Sequence, residues 1–149
     1  MYEFLEYRVV DAMTRSPVTI APSTTLAEME GLFERHDFNG LPVVDGGGGV
    51  LGFATKLDLL KAFEFTRERI VPPYDEIMAR SVEGVMTRDV ECASSGMPLT
   101  RVLQRMIETR NKSLPVIDNG RLVGVIAHED VLRALRRAVR GERPRSVSP

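Results

Sequence analysis

The spacing of apolar and polar residues predicts a series of short strands and helices in the first half of the chain. Apolar runs indicate strands, and apolar residues at helical intervals indicate helices. The predicted elements are strands at 18–20, 41–44 and 50–54 and helices at about 26–36 and about 56–66. Thr25 and Glu28 have the spacing of a capping box at the start of the first helix. The second helix is expected to bury Leu57, Leu60 and Phe63.

The same series returns in the second half of the chain, which indicates an internal duplication. Met86-Thr87-Arg88 matches Met13-Thr14-Arg15, and the run from Leu114 to Asp118 matches the run from Leu41 to Asp45. Asn119-Gly120 lies between two apolar runs, which is the pattern of a two-residue hairpin. One copy of about 55 residues is too small to bury its sheet well. We therefore expect two copies of mixed helix and strand to pack face to face.

Composition narrows the classes of function. The formal net charge is −1 and 43% of the residues are apolar, so we expect a packed core rather than a surface charged throughout for nucleic acid. A single cysteine, Cys92, excludes an intramolecular disulfide, and the distant His36 and His128 argue against a transition-metal site. No apolar run reaches about 18 residues and no signal peptide is recognisable, so we expect a soluble cytoplasmic protein.

A glycine run in the first half has the glycine spacing of a dinucleotide-binding loop, but it lacks the strand and helix order that such a loop requires. Gly47-x-Gly49-x-x-Gly52 has the right spacing, but such a loop needs a strand before it and a helix directly after it. A predicted strand follows here, so we interpret the run as a hairpin loop. The sequence also contains no Gly-Lys-Ser/Thr and no serine or cysteine beside a plausible base. We expect no enzyme activity.

Three motifs recur in the same order in both halves: Met-Thr near the start, Leu-Pro-Val-(Val/Ile)-Asp in the middle and Gly-x-x-(Thr)-x-x-Asp at the end. In this order they resemble the cystathionine β-synthase (CBS) domain, and two in tandem resemble a Bateman module. The resemblance covers about residues 8–66 and about 79–139. It implies an α/β (α+β) fold of two β-α-β-β-α repeats, packed sheet to sheet with pseudo-twofold symmetry.

The resemblance also suggests how the chain is divided. Residues 1–66 would form an N-terminal segment and the first repeat, and residues 67–78 a connector. Residues 79–139 would form the second repeat, and the Arg-rich residues 140–149 a tail that we expect to be disordered. The tail could be a solvated helix face running into a polar end, which we favour, or an arm that binds RNA or DNA phosphates.

Asp58 is the leading candidate for a binding residue. It lies one turn inside the helix predicted after Gly52, where an ionised carboxylate can accept both hydroxyls of a ribose in charge-assisted hydrogen bonds. Thr55 adds a hydroxyl, the helix start adds unpaired N–H groups, and Lys56 is a phosphate candidate. Thr55 and Asp58 also have the spacing of an ordinary helix cap. Both interpretations stay open, and one residue could serve both purposes.

The second copy of the site departs from the first. Asp130 matches Asp58, but Ala127 stands where the first copy has Thr55, so one hydroxyl is missing. His128 flanks the acid, and Lys112 lies near the place where CBS domains often carry a basic phosphate contact. We therefore expect the second site to bind more weakly than the first, or to take a different ligand.

The resemblance supplies the expected ligand and partners. Adenine would lie against a segment that includes Ser16, Pro17 and Val18. The expected ligand is AMP, ADP or ATP, with S-adenosylmethionine or NAD as further candidates, bound in the cleft between the repeats. The expected function is that of a standalone regulatory sensor, forming a homodimer and acting on an unknown partner protein through a reorientation of the repeats. The alternative is a ligand-free scaffold for dimerisation or interaction whose Arg-rich C-terminal tail contacts nucleic acid, a partner that the near-neutral net charge disfavours.

Overall fold

The computed structural model describes residues 2–64 and 73–144. The chain divides into two units, and we describe each by itself. The continuous unit is Val18–Val90, and the split unit combines Met1–Pro17 with Glu91–Pro149. These units are not the two repeats, because the first residues of each repeat belong to the unit that holds most of the other repeat.

In its described residues, the continuous unit contains a two-stranded antiparallel sheet and three α-helices. Its elements are α2 (Leu26–Arg35), β2 (Gly40–Val44), β3 (Val50–Thr55), α3 (Lys56–Lys61) and α4 (Tyr74–Met78), followed by a 3₁₀ turn at Val82–Gly84. Leu41 lies opposite Ala54 in the β2–β3 pair. The core is apolar and includes Ile20, Leu26, Met29, Leu41, Val43, Ala54, Ile77 and Val82.

The split unit contains a three-stranded sheet in the order β1-β5-β4. Its elements are a 3₁₀ turn at Tyr2–Glu6, α1 (Val9–Ala12), β1 (Thr14–Arg15), α5 (Leu99–Thr109), β4 (Ser113–Asp118), β5 (Arg121–Ala127) and α6 (His128–Val139). The β4–β5 hairpin turns at Asn119 and Gly120, whose φ angles are 52° and 79°. Positive φ at both turn residues is typical of a type I′ turn, so the predicted Asn-Gly hairpin is confirmed.

Each repeat contributes its first strand residues to the sheet of the other repeat. Thr14 of β1 pairs with Val125 of β5, and in the continuous unit Thr87 bridges Phe53 of β3. Gly52 and Gly124, the first residues of the duplicated Gly motif, lie at these crossings. A Cβ at Gly52 would come within 2.6 Å of the carbonyl oxygen of Thr87. These glycines are therefore explained by close backbone approach.

The N-terminal segment and the start of the predicted tail pack on each other. Phe4, Tyr7 and Val9 are buried, whereas Leu5 is exposed. The Tyr7 hydroxyl donates a hydrogen bond to the Glu142 carbonyl oxygen over 2.8 Å. Residues 140–144 of the segment expected to be disordered thus include an anchored position, and residues 145–149 lie outside the described residues.

Two details of the predicted elements are wrong. Residues 18–20 do not form a strand, since only Ile20 makes an isolated bridge, to Val43. The helix predicted at 56–66 is α-helical only to Lys61, and its continuation from 65 lies outside the described residues. Leu57 and Leu60 are 59% and 67% exposed, because capping turns the Asp58 face of α3 inward. The capping box predicted at the start of α2 is confirmed only in its first half. Thr25 Oγ1 accepts from the Glu28 N–H at 3.1 Å, but the Glu28 carboxylate accepts from the Thr25 hydroxyl and not from the Thr25 N–H.

We expect Gly52→Ala and Gly124→Ala to destabilise the fold by about 1–3 kcal/mol each, because the new methyl group meets a backbone carbonyl that cannot rotate away. Urea denaturation of each variant measures the loss. Gly96→Ala is the matched control, since a Cβ there meets nothing within 4 Å. Stabilities of all three variants within about 0.5 kcal/mol of the wild type would contradict the role assigned to the crossings.

Candidate functional site

The start of α3 is closed by a reciprocal set of hydrogen bonds between Thr55 and Asp58. Thr55 Oγ1 accepts from the Asp58 backbone N–H at 3.2 Å, and Asp58 Oδ2 accepts from the Thr55 backbone N–H at 2.9 Å. The Thr55 hydroxyl donates to the same Oδ2 at 3.0 Å. The capping interpretation is therefore confirmed, and such a cap stabilises a helix by about 1 kcal/mol.

Capping leaves part of the Asp58 carboxylate available. Both of the bonds that it accepts end on Oδ2, and no described residue donates to Oδ1. The side chain is 8% exposed, so the acid is not turned into bulk water. It lines a cavity of about 440 Å³ together with Lys61, Ala62, Arg80, Ser81, Gly84 and Val85. This volume lies within the range of about 300–1,000 Å³ that is usual for small-molecule sites.

The position of Lys56 differs from that of Lys61. The Lys56 ammonium lies 5.9 Å from the centre of the Phe33 ring, which is a cation–π contact. Lys56 is not among the residues that line the cavity beside Asp58. Sequence reasoning proposed Lys56 as a phosphate contact and missed Lys61, although the three-residue spacing from Asp58 to Lys61 could have placed both on one helical face.

Asp130 takes the place of Asp58 in the second repeat. It also accepts a hydrogen bond from the backbone N–H at the helix start, but it is paired in addition with Arg133. Asp130 Oδ2 accepts from the Ala127 backbone N–H at 2.8 Å, and Asp130 Oδ1 accepts from Arg133 Nη1 at 3.2 Å. Both oxygens of this acid are thus occupied within the protein. Burial raises the pKa of Asp130, while the bond from Ala127 and the charge of Arg133 act to lower it.

His128 and Lys112 lie together, on the same side of the split unit. The His128 backbone N–H donates to the Lys112 carbonyl oxygen at 3.0 Å, and His128 Nε2 lies 2.8 Å from the Asn111 carbonyl oxygen. Both residues line a second cavity of about 440 Å³, which is mostly apolar and is bounded by α5 and α6. Asp130 is not among the residues that line it. The structure thus separates this acid from the basic residues expected beside it.

The segment expected to hold adenine is divided between the two units. Ser16 and Pro17 follow β1 in the split unit, and Val18 begins the continuous unit that contains Asp58. Ser16 has a φ of 50°, which is uncommon for a residue other than glycine. Val18 is 38% exposed. The role of these three residues toward adenine stays a prediction.

The sequence matches the CBS domain family twice, at residues 9–64 and 82–137. The chain belongs to the CBS domain family. Both matched ranges contain the capped acid described above, Asp58 in the first and Asp130 in the second. The mixed helix and strand content agrees with this assignment and confirms the predicted fold class.

Solved CBS structures of similar size resemble this chain. A CBS-domain containing protein from Agrobacterium tumefaciens is 29% identical, with a TM-score of 0.74 and coverage of 87% of this chain and 99% of that one. CBSX2 in complex with AMP is 25% identical, with a TM-score of 0.77 and coverage of 89% and 98%. The CBS domain pair of protein MJ0100 in complex with 5′-methylthioadenosine and S-adenosyl-L-methionine is 26% identical, with a TM-score of 0.73 and coverage of 89% and 98%.

A CBS pair also occurs within larger relatives. The chain is 30% identical over 124 residues to an inosine-5′-monophosphate dehydrogenase from Methanocaldococcus jannaschii, covering 83% of this chain and 22% of that protein. The chain thus spans about a fifth of the length of that relative. Among residues 2–64 and 73–144, no helix is long and apolar enough to span a membrane, and no three His, Cys, Asp or Glu side chains form a candidate metal site.

The raised pKa of Asp130 predicts a distinct pH dependence of stability. The folded protein keeps this proton to higher pH than the unfolded chain, so the stabilising contribution is full near pH 3.8 and below and is lost as the pH rises through the folded pKa. We expect the free energy of unfolding of the wild type, relative to Asp130→Asn, to fall over this range. Urea denaturation from about pH 3.5 to about pH 7 measures it.

Asp118 provides a control of opposite sign. Hydrogen bonds from the hydroxyl and the backbone N–H of Ser95 lower the pKa of Asp118. The wild type relative to Asp118→Asn should therefore gain stability as the pH rises toward 3.8 and gain nothing further above it, which urea denaturation extended down to about pH 2.5 measures. A gain rather than a fall for Asp130 would contradict its assignment as an acid whose charge is penalised by burial.

Proposed function

We propose that this CBS domain pair is a regulatory module that binds an adenosine-containing ligand at Asp58, with AMP, ADP or ATP preferred. The observation that carries the proposal is the buried Asp58 carboxylate beside a cavity of about 440 Å³. Its Oδ2 is fixed by the cap, which orients Oδ1 toward a ligand without further loss of side-chain freedom. A ribose diol is the group that suits such an acceptor, because both hydroxyls can donate to a carboxylate.

The composition of the cavity wall supports a regulatory role. Asp58 and Lys61 belong to the first CBS repeat, and Gly84 and Val85 belong to the second. A ligand held by both sides would favour the arrangement in which the two segments are close. Such a ligand shifts a conformational equilibrium only to the extent that it binds one arrangement better than the other. We infer that occupancy at Asp58 is passed to a partner protein in this way.

The likeness to known structures supports the ligand class. CBSX2 was solved with AMP, and the MJ0100 pair with 5′-methylthioadenosine and S-adenosyl-L-methionine. Adenosine is the part that these ligands have in common. In the second repeat, Arg133 already occupies the acid, so we propose that Asp58 forms the principal site and Asp130 the weaker one.

Asp58→Asn should weaken the binding of AMP by about 10- to 100-fold. The substitution removes the charge from the hydrogen bonds to the diol but keeps an oxygen that can accept from Thr55 N–H. Isothermal titration of adenosine, AMP, ADP, ATP, S-adenosylmethionine and NADH measures the affinities. In a thermal shift experiment, a true ligand at about 100 times its Kd stabilises the wild type by about 2.7 kcal/mol.

Two variants separate binding from capping. Thr55→Ala removes the cap hydroxyl but keeps the carboxylate, so it should lower stability by about 1 kcal/mol and retain most of the binding. Asp130→Asn is the matched control in the second repeat, and it should leave the principal affinity within about twofold of the wild type. Wild-type protein that binds none of the six compounds would contradict the proposed function.

A second function, self-association, is favoured by one apolar surface. Ile107 of α5 and Leu132 of α6 are 67% and 58% exposed, and both line the apolar cavity of the split unit. Side chains of this kind in an apolar depression are typical of a surface that is covered by another protein. We propose that a second copy of the chain covers it, forming a homodimer. Two arginines near the C-terminus are less suited to nucleic acid, because Arg137 of α6 and Arg143 of the tail form ion pairs with Glu142 and Glu6.

Leu132→Glu should convert this dimer to a monomer, because it places a charge on the apolar surface that the second copy would cover. Light scattering coupled to gel filtration measures the mass. Leu5→Glu is the matched control, since Leu5 is 66% exposed and does not line the cavity. A wild type that is monomeric at every concentration, or a Leu132→Glu variant that remains dimeric, would contradict the assignment of this surface.

A further inference from the structure

We propose that Lys61 and Arg80 form a phosphate subsite beside Asp58, so that the site selects adenosine ligands with a phosphate over neutral or cationic ones. The inference rests on the proposed function, because it assumes that Asp58 holds the ribose. Both basic side chains line the same cavity as Asp58. The inference concerns the charge of the ligand, which the likeness to other CBS pairs leaves open, since those were solved with AMP and with S-adenosyl-L-methionine alike.

The backbone around Arg80 is fixed although its side chain is exposed. The Arg80 N–H donates to the Ile77 carbonyl oxygen at 3.0 Å, and the Arg80 carbonyl oxygen accepts from the Leu26 N–H at 3.0 Å. The next residue, Ser81, forms a β-bridge with Thr25. This segment therefore holds the backbone of Arg80 beside the cavity, and the last residue of α3 supplies Lys61.

Neither cation is neutralised by a described residue. In the described part of the chain, ion pairs are formed by other arginines, namely Arg88, Arg105, Arg133, Arg137 and Arg143. Glu83, which lies close to Arg80 in sequence, is paired with Arg88 at 3.2 Å. Lys61 and Arg80 thus keep their positive charge for a ligand, and two cations beside one carboxylate give the cavity wall a net positive balance.

The second repeat contains an internal comparison. The offset between the repeats is 72 residues after the turn, so Arg133 is the counterpart of Lys61, as Asp130 is of Asp58. Arg133 pairs with its own acid at 3.2 Å, whereas Lys61 forms no ion pair with Asp58. At this position, Arg133 of the second repeat neutralises its own acid, whereas Lys61 of the first repeat remains available to a ligand.

These charges favour one class of adenosine ligand. A phosphate group carries between one and two negative charges and accepts strong hydrogen bonds from both Lys and Arg. S-adenosylmethionine carries a positive sulfonium instead, which two nearby cations would repel. 5′-Methylthioadenosine is neutral and gains nothing from them. The continuous unit as a whole has 7 Lys and Arg against 12 Asp and Glu, so the attraction comes from these two side chains and not from the surrounding field.

The test compares AMP with adenosine, which differ only in the phosphate. Isothermal titration measures both on the wild type, Lys61→Ala, Arg80→Ala and the double variant, at low and at moderate salt. We expect each single substitution to weaken AMP by about tenfold and to change adenosine by less than about twofold. The affinity for AMP should fall with added salt in the wild type and much less in the double variant. Arg88→Ala is the control, because Arg88 is paired with Glu83 and does not line the cavity.

The outcomes separate this inference from the proposed function. If the wild type binds adenosine and AMP equally, or if the Lys61 and Arg80 variants weaken both compounds alike, the phosphate subsite is refuted and the role of Asp58 stands. If the wild type prefers S-adenosylmethionine to AMP, the phosphate subsite and the proposed preference for AMP, ADP or ATP are both refuted, whereas the role of Asp58 toward adenosine stands. If the wild type binds neither adenosine nor AMP, the proposed function and this inference fall together. Selective loss of AMP in the two variants, with adenosine retained, supports the subsite.

Discussion

The close approach of two backbones at Gly52 and Gly124 is the constraint on which the rest of the structure depends. At each glycine, a carbonyl oxygen from the opposite repeat occupies the space where a Cβ would be, belonging to Thr87 in one case and to Thr14 in the other. The crossings join sequences of both repeats into each of the two units. They also fix β3 and β5, the strands that lead directly to Asp58 and Asp130, so the same contacts hold both the fold and the position of the two acids.

The duplicated acid shows how two copies of one motif can differ in chemistry while keeping the same local structure. In both repeats, the carboxylate accepts a hydrogen bond from the backbone N–H at the helix start, so the turn is preserved. The surroundings then set the function. Thr55 and an available Lys61 leave the first acid open to a ligand, whereas Ala127 and a bound Arg133 leave the second acid paired within the protein. Retaining the cap therefore does not require retaining an available carboxylate oxygen.

Local features could be predicted from the sequence because they depend on neighbouring residues. The helix cap at Thr25, the Asn119-Gly120 hairpin and the cap at Thr55 all involve residues within four positions of each other. Repetition of the motifs was sufficient to identify the family, since each weak fragment occurs twice in the same order. The capping role of Asp58 was predicted as one of two alternatives. The residues that line the cavity beside it could not be predicted from the sequence.

Features that join distant segments could not be predicted in the same way. Apolar periodicity indicated a helix after Thr55 but placed Leu57 and Leu60 in the core, because a short helix offers too few turns to define its inward face. Nothing in the sequence indicated Arg80, because its place in the wall of the same cavity as Asp58 depends on packing between segments that are distant in the chain. The pairing of the first strand of one repeat with the sheet of the other could not be predicted either, because neither segment alone contains a pattern that indicates the pairing of Thr14 with Val125.

The exchange of strands also sets the order in which the chain can be completed as it leaves the ribosome. All residues of the continuous unit have been synthesised once Val90 has emerged. The split unit must wait, because the partners of its first 17 residues begin only at Glu91. Until then Phe4, Tyr7 and Val9 lack the core that later buries them. Burial of these side chains therefore requires contacts between residues far apart in the chain, whose loop-closure cost is higher than that of the contacts within the continuous unit.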